Sequence, residues 1–177
     1  MIFRVFVVIC AVAPLVSVVT EWVVGRRLTE RHHSTHDTYV ISTALTGALS
    51  LAMQFMGLLG ILLGWLCHLG VFAADETTML GFFASFVVAM FVMWWALRRY
   101  RVSAYEDYLE VTPFVGRMRT VRYADIEAMR WSRGWTISSN RSIIIYVGGE
   151  VAAVLAGTFD LDQILLRINR NDVLENS

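Results

Sequence analysis

The stretch Met79 to Arg101, MLGFFASFVVAMFVMWWALRRYR, decides the fold. From Met79 to Leu97 it carries no charged residue, and it is then stopped abruptly by Arg98, Arg99 and Arg101. A helix needs about 20 predominantly apolar residues to cross the hydrocarbon core of a bilayer, and 79–97 meets that length. Towards the N-terminus, Asp75 and Glu76 separate this run from another, Tyr39 to Ala74, which contains no Asp, Glu, Lys or Arg. It is too short for two spans with a turn, so it reads as one long or tilted helix over about 40–72. A first run, Ile2 to Val24, has Arg4 at one edge and Glu21 near the other. The expectation is a membrane α-helical domain over residues 1–99 with spans at about 2–24, 40–72 and 79–97. Ala11 to Ala13 has the small-x-small look of a signal-peptidase site, but Pro14 follows at once and the apolar run continues, which favours an uncleaved anchor.

Arginine placement sets the expected orientation, because positive residues flanking spans stay on the cytoplasmic side. Arg26, Arg27 and Arg31 lie in the first loop and Arg98, Arg99 and Arg101 follow the third span, whereas the second loop holds only Asp75 and Glu76. This predicts a multi-pass protein of the inner (cytoplasmic) membrane with its N-terminus outside and its C-terminal domain in the cytoplasm. Trp94, Trp95 and Tyr100 fall where an interfacial aromatic belt belongs.

Composition agrees with the membrane class: 56% of the 177 residues are hydrophobic and 17% are charged. Fifteen Arg balance fifteen Asp and Glu, and no Lys is present. Zero net charge and the lack of a nucleic-acid motif exclude nucleic acid as a partner. Cys10 and Cys67 both sit in apolar runs, where free Cys behaves as a small hydrophobe, so no disulfide framework is indicated.

From Tyr100 the texture changes to short alternating segments broken by turn residues, the signature of strands and hairpins. Leu109 and Val111 alternate with Glu110 and Thr112, a turn follows around Gly116, and Met118–Tyr123 returns. Ile126–Trp131 and the β-branched Ser142–Val147 continue the pattern; Gly148-Gly149 is a two-residue hairpin turn leading into Glu150–Leu155. A helix over 160–170 has Asp160 as N-cap, Gln163 three residues on and Phe159 placed to staple against Ile164. Leu161, Ile164, Leu165 and Ile168 give it one apolar face. A polar tail, 172–177, is expected to end the chain.

Residues 100–170, and chiefly YRVSAYEDYLEVTPFVGRMRTVRYADIEAMRW with its Leu-Glu-Val, its turn at Phe114 to Arg117 and its Tyr123-x-Asp125-Ile126 pattern, resemble the bacterial membrane-anchored pleckstrin-homology-like (PH-like) domain proteins, a family of uncharacterised activity. The resemblance implies a small α+β domain over 100–171, a bent antiparallel β-sheet or barrel closed by a C-terminal helix. Five or six strands are countable here.

The candidate binding residues are arginines: Arg98, Arg99 and Arg101 after the last span, and Arg117, Arg119 and Arg122 around one hairpin. Between Arg98 and Thr158 there are nine Arg against six acids. A cation near an anionic leaflet gains roughly 1 kcal/mol, and Arg117 and Arg119, two apart on a strand, are expected to share a face. The alternative is a solvated strand face. Small residues recur at Ala44, Ala48, Ala52, Gly60 and Gly64, a stripe for close helix packing, either within this chain or against a partner or second copy. His32, His33 and His36 form a cluster without a second set of ligands, so no metal or other cofactor is expected. Gln54 and Glu21 are a thin supply for a transport path; Gln54 is expected to bond a neighbouring helix. No catalytic motif is present. The function expected is therefore non-enzymatic: a cytoplasmic interaction module binding a protein partner or anionic membrane lipids. The rival is a small accessory subunit of a membrane transporter or secretion complex, docked through its helices.

Overall fold

The computed structural model describes residues 2–28, 37–132, 142–157 and 161–175, and it divides into two compact units. One is helical and holds α1 (Ile2–Leu28), α2 (Thr43–His68) and α3 (Glu76–Arg99) as far as Leu97. All three are long and apolar enough to cross a membrane. The many exposed large hydrophobics along them, Leu51, Phe55, Leu58 and Phe82 among them, fit a lipid-facing surface.

The helices pack through small side chains. Pro14 lacks the N–H that would bond the carbonyl of Cys10 one turn earlier, and α2 meets that carbonyl with Gly57: a Cβ there would lie 2.3 Å from the Cys10 oxygen. Beside it, the hydroxyls of Ser17 and Ser50 bond at 2.7 Å, and Ser17 also donates to the Pro14 carbonyl. Gly60 and Gly64 receive Phe83 and Leu80 of α3; Cβ atoms there would lie 2.5 and 2.6 Å from those side chains. At the other end Met53 and Leu49 pack on Trp94, whose Nε1 donates to Glu21 Oε1 at 2.9 Å. The α2–α3 turn is closed by Asp75, whose carboxylate accepts the Thr78 N–H and hydroxyl at 2.8 and 2.9 Å. These bonds hold its pKa below the usual carboxylate value.

Several expectations change. The second helix long enough to cross a membrane is Thr43–His68 rather than 40–72, because Asp37–Val40 is a strand, β1; β-branched and aromatic residues satisfied a hydropathy reading while serving a sheet. Trp94 is buried in the bundle and Tyr100 in the β unit, so of the expected aromatic belt Trp95 stays exposed, joined by Trp22. Gln54 bonds the Ser50 carbonyl of its own helix rather than a neighbour. His68 makes an exposed 2.6 Å contact with Glu76.

The β unit begins at Arg98 and includes β1. Its strands are β2 (Arg101–Ala104), β3 (Tyr108–Thr112), β4 (Arg119–Arg122), β5 (Ala128–Ser132), β6 (Ser142–Val147), β7 (Glu150–Leu155) and β8 (Leu174–Glu175), with α4 (Leu161–Ile168) before β8. Two separate four-stranded sheets form, β1-β2-β3-β4 and β7-β6-β5-β8. β1 lies antiparallel to β2 in the register Thr38 to Ser103 and Tyr39 to Val102, with a 3.3 Å bond between the Thr38 and Ser103 hydroxyls. The segment between the first two helices thus supplies an edge strand to a sheet whose other strands follow the third. Among the described residues the sheets have no ladder between them, so the expected closure into a barrel is not seen there. The tail is not wholly polar: Leu174 and Glu175 run parallel to β5.

The strands bury Val102, Leu109, Val111, Val121, Met129, Ile143, Ile145 and Leu155. The face of α4 formed by Leu161, Ile164, Leu165 and Ile168 is buried as its spacing requires. Its expected cap and staple, Asp160 and Phe159, lie outside the described residues. Gly148 and Gly149 have φ of 61° and 75°, the double positive φ of a two-residue hairpin turn.

Candidate functional site

Of the residues that sequence reasoning singled out, Arg117 and Arg119 lie at the loop between β3 and β4, and Arg122 stands at the far end of that hairpin. Pro113 ends β3, Gly116 takes φ +111°, a value that favours glycine, and Arg119 begins β4. The loop is pinned at its base. The Phe114 ring stacks on Tyr100 with centroids 4.2 Å apart, and the Arg99 guanidinium donates to the Gly116 carbonyl. Beyond these anchors the tip is exposed: Val115 is 83% and Met118 57% accessible, and Arg117 between them is exposed too.

β7 lies across from this loop. Its pairing with β6 slips between Ile145 and Tyr146, so that Ala152 has no partner, and such a bulge turns backbone groups out of the ladder. Arg119 answers them, its Nη1 donating to the Val151 and Ala152 carbonyls at 3.1 and 3.2 Å. Further along, the Tyr100 hydroxyl donates to the Val154 carbonyl at 2.8 Å and accepts the Ala156 N–H at 2.9 Å. Burial pushes the Tyr100 hydroxyl pKa up to about 12, and burial does the same for Tyr123. Side chains of Arg119 on β4 and of Tyr100 before β2 therefore tie the first sheet to β7. A cleft of about 150 Å³ remains there, walled by Val111, Pro113, Val115, Arg117, Arg119 and residues 151–154 of β7.

The six candidate arginines do not form one face. Arg119 shares the parity of the buried Val121, whereas Arg122 points to the other side of β4, and Arg117 precedes the strand. Arg101 is exposed at the start of β2, in register with Thr112. Arg98 and Arg99 are the last two residues of α3. Arg117 lies before β4 rather than on it, so the two do not share a strand, although both wall the same cleft: Arg119 holds β7 and Arg117 stands at the loop tip. Among the small residues, Gly60 and Gly64 pack inside the bundle, Ala52 is half-buried, and Ala44 and Ala48 are exposed. His32, His33 and His36 lie outside the described residues, as do Arg133 and Arg141, two of the nine arginines between Arg98 and Thr158. Among the described residues no three of His, Cys, Asp and Glu group as metal ligands.

Chemically the loop offers cationic donors beside exposed apolar side chains, a combination suited to holding an anion at an apolar boundary. Sequence reading found the arginines but passed over Val115 and Met118, although apolar residues in a turn, where polar ones are the rule, were the available signal. No family model matches the chain, and no curated protein or solved structure is similar enough to count as a match.

Proposed function

We propose that this chain is a non-enzymatic integral membrane protein whose C-terminal unit is a PH-like interaction module, binding a protein partner or anionic lipid headgroups. The observation that carries the reading is the β3–β4 loop, which presents an exposed arginine between exposed apolar residues. The sheet order β1-β2-β3-β4 against β7-β6-β5, with one C-terminal helix, supports a PH-like arrangement in which the segment between α1 and α2 contributes the first strand. The same pairing supports the proposed topology. If α2 and α3 both cross the bilayer, β1 and β2 stand on one side of it, and the flanking arginines make that side the cytoplasm of a bacterial cell.

Arg119 is held by β7, so the test leaves it in place. With Arg117→Ala/Arg122→Ala, affinity purification from native membranes should recover several-fold less of the associated protein or anionic lipid, at unchanged insertion. Equal recovery from both chains would show those residues to be merely solvated. A second reading, an accessory subunit docked through its helices, is favoured by the exposure of Ala44 and Ala48. For it, leucine at these two positions should abolish recovery of a protein partner while leaving lipid recovery unchanged.

A further inference from the structure

We propose that the tip of the β3–β4 loop is a second membrane contact, in which Val115 and Met118 enter the interface of the bilayer and Arg117 binds the phosphate of an anionic phospholipid. This rests on the lipid branch of the function proposed above and gives it a site.

Three observations converge. The first is amphipathic pattern: within five residues the loop exposes Val115 and Met118, at 83% and 57%, with Arg117 between them and Arg119 next in sequence. Arg117 makes no hydrogen bond or ion pair among the described residues. Two exposed apolar side chains on a turn gain nothing in water, whereas at a bilayer surface each buried CH₂ contributes about 0.8 kcal/mol. The second is attachment. The loop is tied by hydrogen bond to Arg99, the last residue of α3, and by ring stacking to Tyr100, the next residue in the chain. A helix that spans the bilayer ends at its interface, so a loop bonded to that end starts within reach of headgroups. The third is charge. Arg99 bonds the loop, Arg101 is in register with Thr112 at its base and Arg117 stands at its tip, with no acid between Thr112 and Arg119, and a positive, apolar-tipped loop complements an anionic leaflet rather than a zwitterionic one. A protein partner is the other conceivable occupant. The tie to the residue that ends the third span favours the membrane.

The experiment uses the full chain, with Cys10→Ala and Cys67→Ala, in lipid nanodiscs. An environment-sensitive fluorophore is attached at Val115→Cys or, as a reference, at Glu150→Cys on the Gly148-Gly149 hairpin. In discs containing phosphatidylglycerol, the label at 115 should be several-fold better protected from iodide than the label at 150, and quenched by nitroxide lipid. In purely phosphatidylcholine discs, or with Arg117→Ala, both effects should weaken. Equal iodide access at 115 and 150 in the anionic discs overturns the proposal, as does protection without lipid quenching, which would mean contact with a second copy. Arg117 and Arg122 could still govern recovery of a protein partner from native membranes in that case, so loss of this site and loss of the broader reading are separable.

Discussion

Replacing Gly57 by leucine is expected to drive α1 and α2 apart and to be the most damaging single change in the helical unit. The reason begins with Pro14, which leaves the Cys10 carbonyl without its helical donor. In a bilayer such a group must find a partner from a neighbouring helix, and the backbone of α2 approaches it so closely that a Cβ on Gly57 would stand 2.3 Å from the oxygen and 3.2 Å from Pro14 Cγ. A glycine hydrogen fits there and can make a weak C–H to oxygen contact, worth about 0.5–1 kcal/mol. A leucine side chain meets backbone on the facing helix, which cannot rotate aside, so the loss should exceed the roughly 1–3 kcal/mol usual for overpacking. Gly47 supplies the comparison, since nothing lies within 4 Å of its Cβ position. Thermal unfolding in detergent should show Gly57→Leu far below the parent and Gly47→Ala within about 1 kcal/mol of it. Similar midpoints for the two would contradict the proline-glycine contact.

In the β unit the largest effect is expected at Tyr100. Its ring is 3% exposed and stacked on Phe114, and its hydroxyl serves both the Val154 carbonyl and the Ala156 N–H. Removing the ring with Tyr100→Ala should cost about 3–5 kcal/mol, as for other buried aromatics. Tyr100→Phe keeps the stacking and leaves two backbone groups unserved, a cost of about 1–3 kcal/mol. The same residue predicts a pH dependence. Burial raises Tyr100 and Tyr123 from 10.0 to about 12 in the folded chain. Unfolded tyrosines therefore lose their protons first: stability is complete below pH 10 and falls as the pH climbs towards 12, by roughly 1.4 kcal/mol per unit for each group. Alkaline unfolding followed by tyrosinate absorbance should show that decline, shallower in Tyr100→Phe. An unchanged slope would mean that Tyr100 titrates like a solvated phenol.

Much of this was legible in the chain itself. Charge-free runs ended by Arg98 and by Asp75-Glu76 mark helices of membrane length, and the alternation at Leu109 and Val111, the Gly148-Gly149 turn and the face of α4 were all readable, because each is set by neighbours in sequence. What escaped depends on partners far along the chain. β1 looks like the start of a span, and only its register with β2, more than sixty residues away, makes it a strand. Arg119 reads as a surface cation, yet a bulge in β7 gives it two carbonyls to hold. The small-residue stripe was visible as a pattern, but Gly57 was missed, since its importance comes from a proline on another helix.

The central claim is that a strand from between the first two helices completes a sheet whose other strands follow the third. Cysteine cross-linking tests it most directly. In a chain freed of Cys10 and Cys67, Thr38→Cys and Ser103→Cys face each other across adjacent strands, where Cα atoms stand about 4.5–5.5 Å apart, within the range a disulfide spans. Thr120, in register with Glu110 on β3 and so two strands beyond Ser103, is the control. The account predicts rapid disulfide formation in membranes for Thr38→Cys/Ser103→Cys and little for Thr38→Cys/Thr120→Cys. Failure of the first pair to cross-link, or equal yields from both, would contradict it.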